Sequence, residues 1–160
     1  MNYLENRTTL IKLPQSRTIS TSVTIHAPAA KVWSIVGDFT RFDKFVDGLD
    51  RIEMSGEGVR SVRHKFFEDG NIVLEQLNNR DDEKMLMDWT LIYTSLDIGN
   101  LWSSMRVNKI DENTSEAIWD IAAEPWNKET KQEDFEKFLA KFASDALNNA
   151  KQIIEEKQAA

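Results

Sequence analysis

The chain has 160 residues, 41% of them hydrophobic and 29% charged, enough apolar content for one domain-sized core and too much for a mainly disordered chain. Its formal net charge of −7 argues against nucleic acid as a partner, because surfaces that track phosphates carry a basic stripe. Without a single cysteine it has no disulfides, thiolate metal sites or cysteine nucleophiles, and a cytoplasmic protein is the expectation.

Residues 1–16 carry charges at Glu5, Arg7 and Lys12 and no apolar run long enough for a signal segment or a membrane span. They read as an N-terminal arm before one domain over 17–157. In that domain Ile19, Thr21, Val23 and Ile25 alternate with Thr18, Ser20, Ser22 and Thr24, the period of a half-buried strand. Pro28 pre-sets the first turn of a helix with Val32, Trp33 and Val36 on one face, ending near Gly37. Thr40 and Asp43 resemble a capping box for a second short helix, with Phe42, Phe45 and Val46 as its apolar face and Gly48 as its stop.

Six segments follow, over 49–55, 58–68, 72–80, 85–96, 99–110 and 116–124, separated by Asp-Gly, Gly-Asn and Asn-Thr punctuation. Short spacings of this kind predict an antiparallel meander. From Thr130 to Lys157 the period changes to that of a helix. Thr130 and Glu133 resemble a capping box, and Phe135, Phe138, Leu139, Phe142, Ala146, Leu147, Ala150, Ile153 and Ile154 share a face.

The stretch Ile25–Phe39, read as Ile-x-Ala-Pro-x-x-x-Val-Trp-x-x-Val-x-Asp-Phe, together with this element order, resembles the polyketide cyclase/dehydrase branch of the SRPBCC superfamily, which contains START and birch-pollen-allergen-like proteins and to which the plant abscisic acid receptors are similar. The resemblance implies an α+β helix-grip fold: a curved seven-stranded antiparallel sheet wrapped around a long C-terminal helix, with two short helices after the first strand. It also implies a cavity where sheet and helix do not close. Pro28 and Trp33 read as packing devices, one starting a helix and the other filling the space beneath it.

Strand phase sets what would line such a cavity, since alternate residues face inward. For 72–77 the sets are Ile72, Leu74, Gln76 and Val73, Glu75, Leu77; the resemblance favours the second and places Glu75 inside, where related receptors put a polar ligand contact. Met87, Trp89, Leu91 and Tyr93 form the more apolar face of their strand, as do Leu101, Ser103, Met105 and Val107 of the next. Trp119 and Ile121 are taken as inward. The strand around residue 63 stays ambiguous: apolarity favours Val62, His64 and Phe66, whereas the resemblance favours Arg63, with Ser61, Lys65 and Phe67. Phe138 and Phe142 would close the site from the helix.

The expected function is binding of a small hydrophobic ligand, with Glu75 or Arg63 orienting a polar end and the loops 69–71 and 95–100 acting as lids. The contact set is Glu75, Arg63, His64, Val73, Leu77, Met87, Trp89, Leu91, Leu101, Ser103, Met105, Trp119, Phe138 and Phe142. The alternative is a polyketide cyclase/dehydratase-like enzyme, with Glu75, His64 and Tyr93 as acid–base candidates. Two distant histidines and the absence of metal, nucleophile-elbow, phosphate-loop or dinucleotide motifs predict no metal and no cofactor. A homodimer is left open.

Overall fold

The computed structural model describes residues 12–159, with side chains through Lys157; most of the expected N-terminal arm, residues 1–11, lies outside them. The elements are β1 (Ile19–Ile25), α1 (Ala29–Val36), a 3-10 turn (Phe42–Lys44), β2 (Leu49–Ser55), β3 (Val62–Phe67), β4 (Ile72–Asp81), β5 (Leu86–Thr94), β6 (Asn100–Asp111), β7 (Thr114–Glu124) and α2 (Gln132–Ala159). The strands form one sheet in the order β1-β7-β6-β5-β4-β3-β2. Every pairing is antiparallel, so six strands meander and the first returns beside the last. This is the helix-grip architecture.

α1 begins after Pro28, whose extended backbone (φ −58°, ψ 144°) ends β1's direction and whose carbonyl accepts from the Val32 N–H at 3.2 Å. Its buried face, Ala29, Val32, Trp33 and Val36, is the one expected from spacing. Trp33 reaches across to the β4–β5 hairpin, where its Nε1–H donates to Asp82 Oδ1 at 2.9 Å. Arg80 completes the join: Nη1 donates to the Gly37 carbonyl at 2.6 Å, and the guanidinium lies 5.1 Å from the indole. The exposed Asp82 carboxyl is held below its ordinary range by the indole N–H first and by Arg80 second.

The second short helix is reduced to one 3-10 turn, because the capping box does not form. Thr40 turns back instead, donating N–H and Oγ1–H to Asp38 Oδ1 at 3.1 and 2.7 Å, while Asp43 pairs with Arg41 at 3.0 Å. Likewise Thr130 does not cap α2. Its hydroxyl donates to Asp97 Oδ2 at 2.8 Å, and Asp97 Oδ1 takes the Asn127 N–H at 2.6 Å, which ties the approach to α2 onto the β5–β6 loop. At Thr40 the competitor is a local turn onto Asp38; at Thr130 it is a tertiary contact, with an aspartate 33 residues away.

α2 has 28 residues and is about 42 Å long at 1.5 Å per residue. Its two halves meet the sheet differently. Ala143, Ala146, Leu147, Ala150 and Ile154 are fully buried, small side chains alternating with two large ones so that the helix lies close to β1 and α1. The first half carries Phe135, Phe138 and Phe142, of which Phe138 is 55% exposed.

Gly37 ends α1 with an ordinary φ of −89°, so its value is space. A Cβ there would lie 2.3 to 2.5 Å from the Trp33 ring, and that ring cannot retreat without losing Asp82. Gly37→Ala is expected to cost about 1–3 kcal/mol, read as a lower urea midpoint with unchanged slope; an unchanged midpoint would show that Trp33 is not held as described.

Candidate functional site

The inward faces of β3 and β4 meet at a register that pairs Arg63 with Glu75 and Lys65 with Val73. This resolves the ambiguous strand. Ser61, Arg63 and Lys65 are buried, whereas His64 faces the other side, its Nε2 3.1 Å from Ser55 Oγ on β2. A strand that puts arginine and lysine inside defies apolar counting and needs a partner for its charge. Glu75 supplies it: Oε1 accepts from Arg63 Nε at 2.9 Å and lies 2.9 Å from Lys65 Nζ.

Arg63 is wholly buried. Its Nη1 donates to the Phe39 carbonyl at 3.1 Å, and its guanidinium carbon sits 4.0, 4.2 and 4.8 Å from the rings of Phe39, Phe42 and Trp89. Three ring faces around one weakly hydrated cation replace part of the lost solvation. Nη2 meets no acceptor among the described residues.

The titration of the cluster follows from geometry. Burial pushes the Glu75 carboxyl up, but the attraction of Lys65 and Arg63 outweighs it and leaves the carboxyl below its ordinary 4.5. For Lys65 the balance is reversed: burial depresses the ammonium more than Glu75 restores it, and the neighbouring Arg63 charge adds to the depression. Glu75 is therefore a weak base in a site that holds its charge.

Beyond this cluster an aromatic chain crosses the interior. Phe42 stands edge-on to Trp89 and Trp119 with centroids 5.7 and 5.6 Å away, Trp89 and Trp119 are 6.1 Å apart, and Trp119 meets Phe142 of α2 at 5.7 Å. Between this chain, the ends of β3–β7 and the first half of α2 lies a cavity of about 230 Å³. Lys65, Val73, Glu75, Trp89, Leu101, Ser103, Trp119, Ile121, Phe138, Leu139 and Phe142 line it, and the exposed Asp47, Asp69 and Phe138 mark its mouth. A larger groove of about 1050 Å³ runs outside, between α1 and the β2–β3 hairpin, but it is open to solvent and none of the three buried charges faces it.

Eight of the expected contact residues thus line the cavity: Val73, Glu75, Trp89, Leu101, Ser103, Trp119, Phe138 and Phe142. Six do not. Arg63 lies behind Glu75, Met87, Leu91 and Met105 are core, Leu77 borders the outer groove, and His64 is on the opposite face. Tyr93, expected inward with Trp89 and Leu91, is 55% exposed. The cause is a bulge: Leu74 pairs with Tyr93 but Glu75 with Leu91, so Ile92 is an extra residue and the phase of β5 flips there. Ser103 lines the cavity but is already engaged, donating to the Asp120 carbonyl at 2.9 Å and accepting from Trp119 Nε1 at 2.7 Å. Lys65 was missed as a contact residue; its alternation with Arg63 and the adjacent Phe67 was the available signal.

The loops expected as lids stand at the mouth, Asp69 and Asn71 from one and Leu96 and Ile98 from the other. They are bonded together: Ser95 Oγ–H donates to Asn71 Oδ1 and accepts from the Ile72 N–H, both at 2.9 Å.

Residues 16–155 match the family model described as polyketide cyclase / dehydrase and lipid transport. The chain belongs to this family. Among solved structures it is similar to the protein XoxI from Bacillus cereus (22% identity, TM-score 0.79, covering 88% of this chain and 97% of that one). It is also similar to the Zhui aromatase/cyclase from Streptomyces sp. R1128 (15%, 0.72, 89% and 96%) and to a START superfamily protein from Mycobacterium smegmatis (10%, 0.75, 87% and 97%). At these identities the likeness shows the shared fold. No curated protein matches the chain at a comparable level. Among the described residues no helix is long and apolar enough to cross a membrane.

The ion cluster predicts a pH signature. Glu75→Gln leaves two buried cations without a counter-charge and is expected to cost about 3 kcal/mol at pH 7. Because the folded carboxyl titrates below its ordinary value, its stabilisation is full above pH 4.5 and fades as pH falls through the depressed value. Denaturant midpoints of wild type and variant should therefore differ at pH 7 and converge in strong acid; a gap independent of pH would refute the pairing.

Proposed function

We propose that this protein binds a small hydrophobic molecule in the cavity between the sheet and the first half of α2. The observation that carries this is the combination of an apolar, aromatic wall with a confined polar pair, Glu75 and Lys65, at one place on it. A ligand would exchange water for ring faces over most of its surface and be oriented by the pair. Binding sites of drug-sized ligands usually span roughly 300–1,000 Å³, so about 230 Å³ limits the occupant to about one ring with a short substituent unless Phe138 moves outward.

The catalytic alternative draws less support from the same geometry. Of its three candidates only Glu75 lines the cavity, and its carboxylate is held ionised by two cations instead of being poised for proton transfer. His64 and Tyr93 are turned away, which leaves Glu75 without either of its expected acid–base partners.

Trp89 and Trp119 form part of the wall, so occupancy is visible in intrinsic fluorescence. Small aromatic ligands should quench or shift the emission, and Leu101→Phe, which fills the cavity from β6, should abolish the response while leaving the far-ultraviolet circular dichroism unchanged. An equal response in the variant would place binding elsewhere.

A further inference from the structure

The buried cluster contains two cations and one carboxylate. Arg63 and Lys65 share the same oxygen of Glu75, at 2.9 Å each, and among the described residues no other carboxylate comes within ion-pair distance of either. With both cations protonated the cluster carries one surplus positive charge, enclosed by side chains that are 0%, 6% and 4% exposed. A buried charge without a counter-charge is among the costliest features a fold can carry.

The two cations do not share the surplus equally. Arg63 is committed to the fold by the Phe39 carbonyl and three ring faces, and it is screened from the cavity by Glu75. Lys65 is on the cavity wall. An ammonium has three hydrogens to donate, and Glu75 Oε1 is its one ion-pair partner among the described residues. The carboxylates at the mouth do not answer it: Asp47 accepts from Asn149 Nδ2 at 2.9 Å, and Asp69 accepts from the N–H and side-chain amide of Asn71, both at 2.9 Å. Both aspartates are exposed, so water and salt screen them.

Resting on the reading of this cavity as a ligand site, we infer that its ligand is a small hydrophobic monoanion, a carboxylate or an equally acidic enol, whose oxygen takes its hydrogen bond from Lys65 Nζ. Such a ligand supplies the missing charge and expels the water around Lys65, and the ion pair strengthens as that water leaves. A neutral isostere of the same shape fills the same space but leaves the surplus in place. The size limit further selects against a second anionic group.

The test compares 3-phenylpropionate with its neutral amide at pH 7, by tryptophan fluorescence and isothermal titration on the full chain, in wild type, Lys65→Met and Leu101→Phe. Wild type is expected to bind the acid about ten- to a hundredfold more tightly than the amide, the range of one charge-assisted hydrogen bond. In Lys65→Met that preference should vanish, with the acid binding no more tightly than the amide. The variant should still fold, with a melting temperature equal to or above wild type, because Arg63 and Glu75 then form a balanced pair and an apolar side chain replaces a buried ion.

Equal binding of acid and amide by wild type, or a preference that survives in Lys65→Met, would overturn the anion assignment and leave the cavity reading intact. If Leu101→Phe binds both as wild type does, or if wild type binds neither at millimolar concentration, the cavity reading falls and the anion assignment with it. A melting temperature that drops sharply in Lys65→Met would also count against it, by making Lys65 a structural cation.

Discussion

Arg63 is buried to zero exposure, and the structure around it follows from making that tolerable. Its charge requires Glu75, which fixes the β3–β4 register; its ring cage requires Phe39 and Phe42, which fixes the segment after α1 against the sheet; and Trp89 brings in β5. A guanidinium suits this position because it is flat, weakly hydrated and able to donate in several directions at once. An ion pair of this kind gives little net stability against a packed apolar alternative. Its effect here is positional: it determines which faces of two strands point inward.

The cavity is a by-product of the same arrangement. With the inner space near β3 and β4 occupied by charged and aromatic groups, the sheet cannot follow α2 closely along its first half, where Phe135 and Phe142 stand between them. Along the second half Ala143, Ala146 and Ala150 allow close approach. The helix is thus anchored at one end and stands off at the other. Interiors are close-packed as a rule, so a hollow of about 230 Å³ beside this ion cluster is a departure, and the proposed binding site rests on it. Evenly packed core would need neither.

Much of the fold was readable in the chain. Alternation marked seven strands, helical spacing marked α1 and α2, and the Ala27–Pro28 and Val32–Trp33 positions sit where the family pattern puts them. The misreadings were local and share a cause. Thr40 and Thr130 have the spacing of caps because a carboxylate follows three residues later, yet each hydroxyl bonds another aspartate, Asp38 in a local turn and Asp97 brought near by the β5–β6 loop. Simple alternation points Tyr93 inward, but alternation assumes an unbroken ladder, and the extra residue at Ile92 breaks it. His64 looked like the apolar choice on β3 because nothing in the strand itself announces that a glutamate twelve residues away will neutralise the opposite face.

The amino-acid sequence alone determined the elements and their order, since periodicity, prolines and turn residues act over a few neighbouring positions and need no knowledge of distant ones. The inward placing of Glu75 came from the family resemblance, since alternation left both faces of its strand open. Only the tertiary structure decided which charged residues share the interior, that two cations meet a single carboxylate, and that Lys65 is the one left facing open space. Those outcomes depend on register, bulges and the distance between helix and sheet, which are set by every strand at once, so the charge balance of the site exists only after the chain has closed around it.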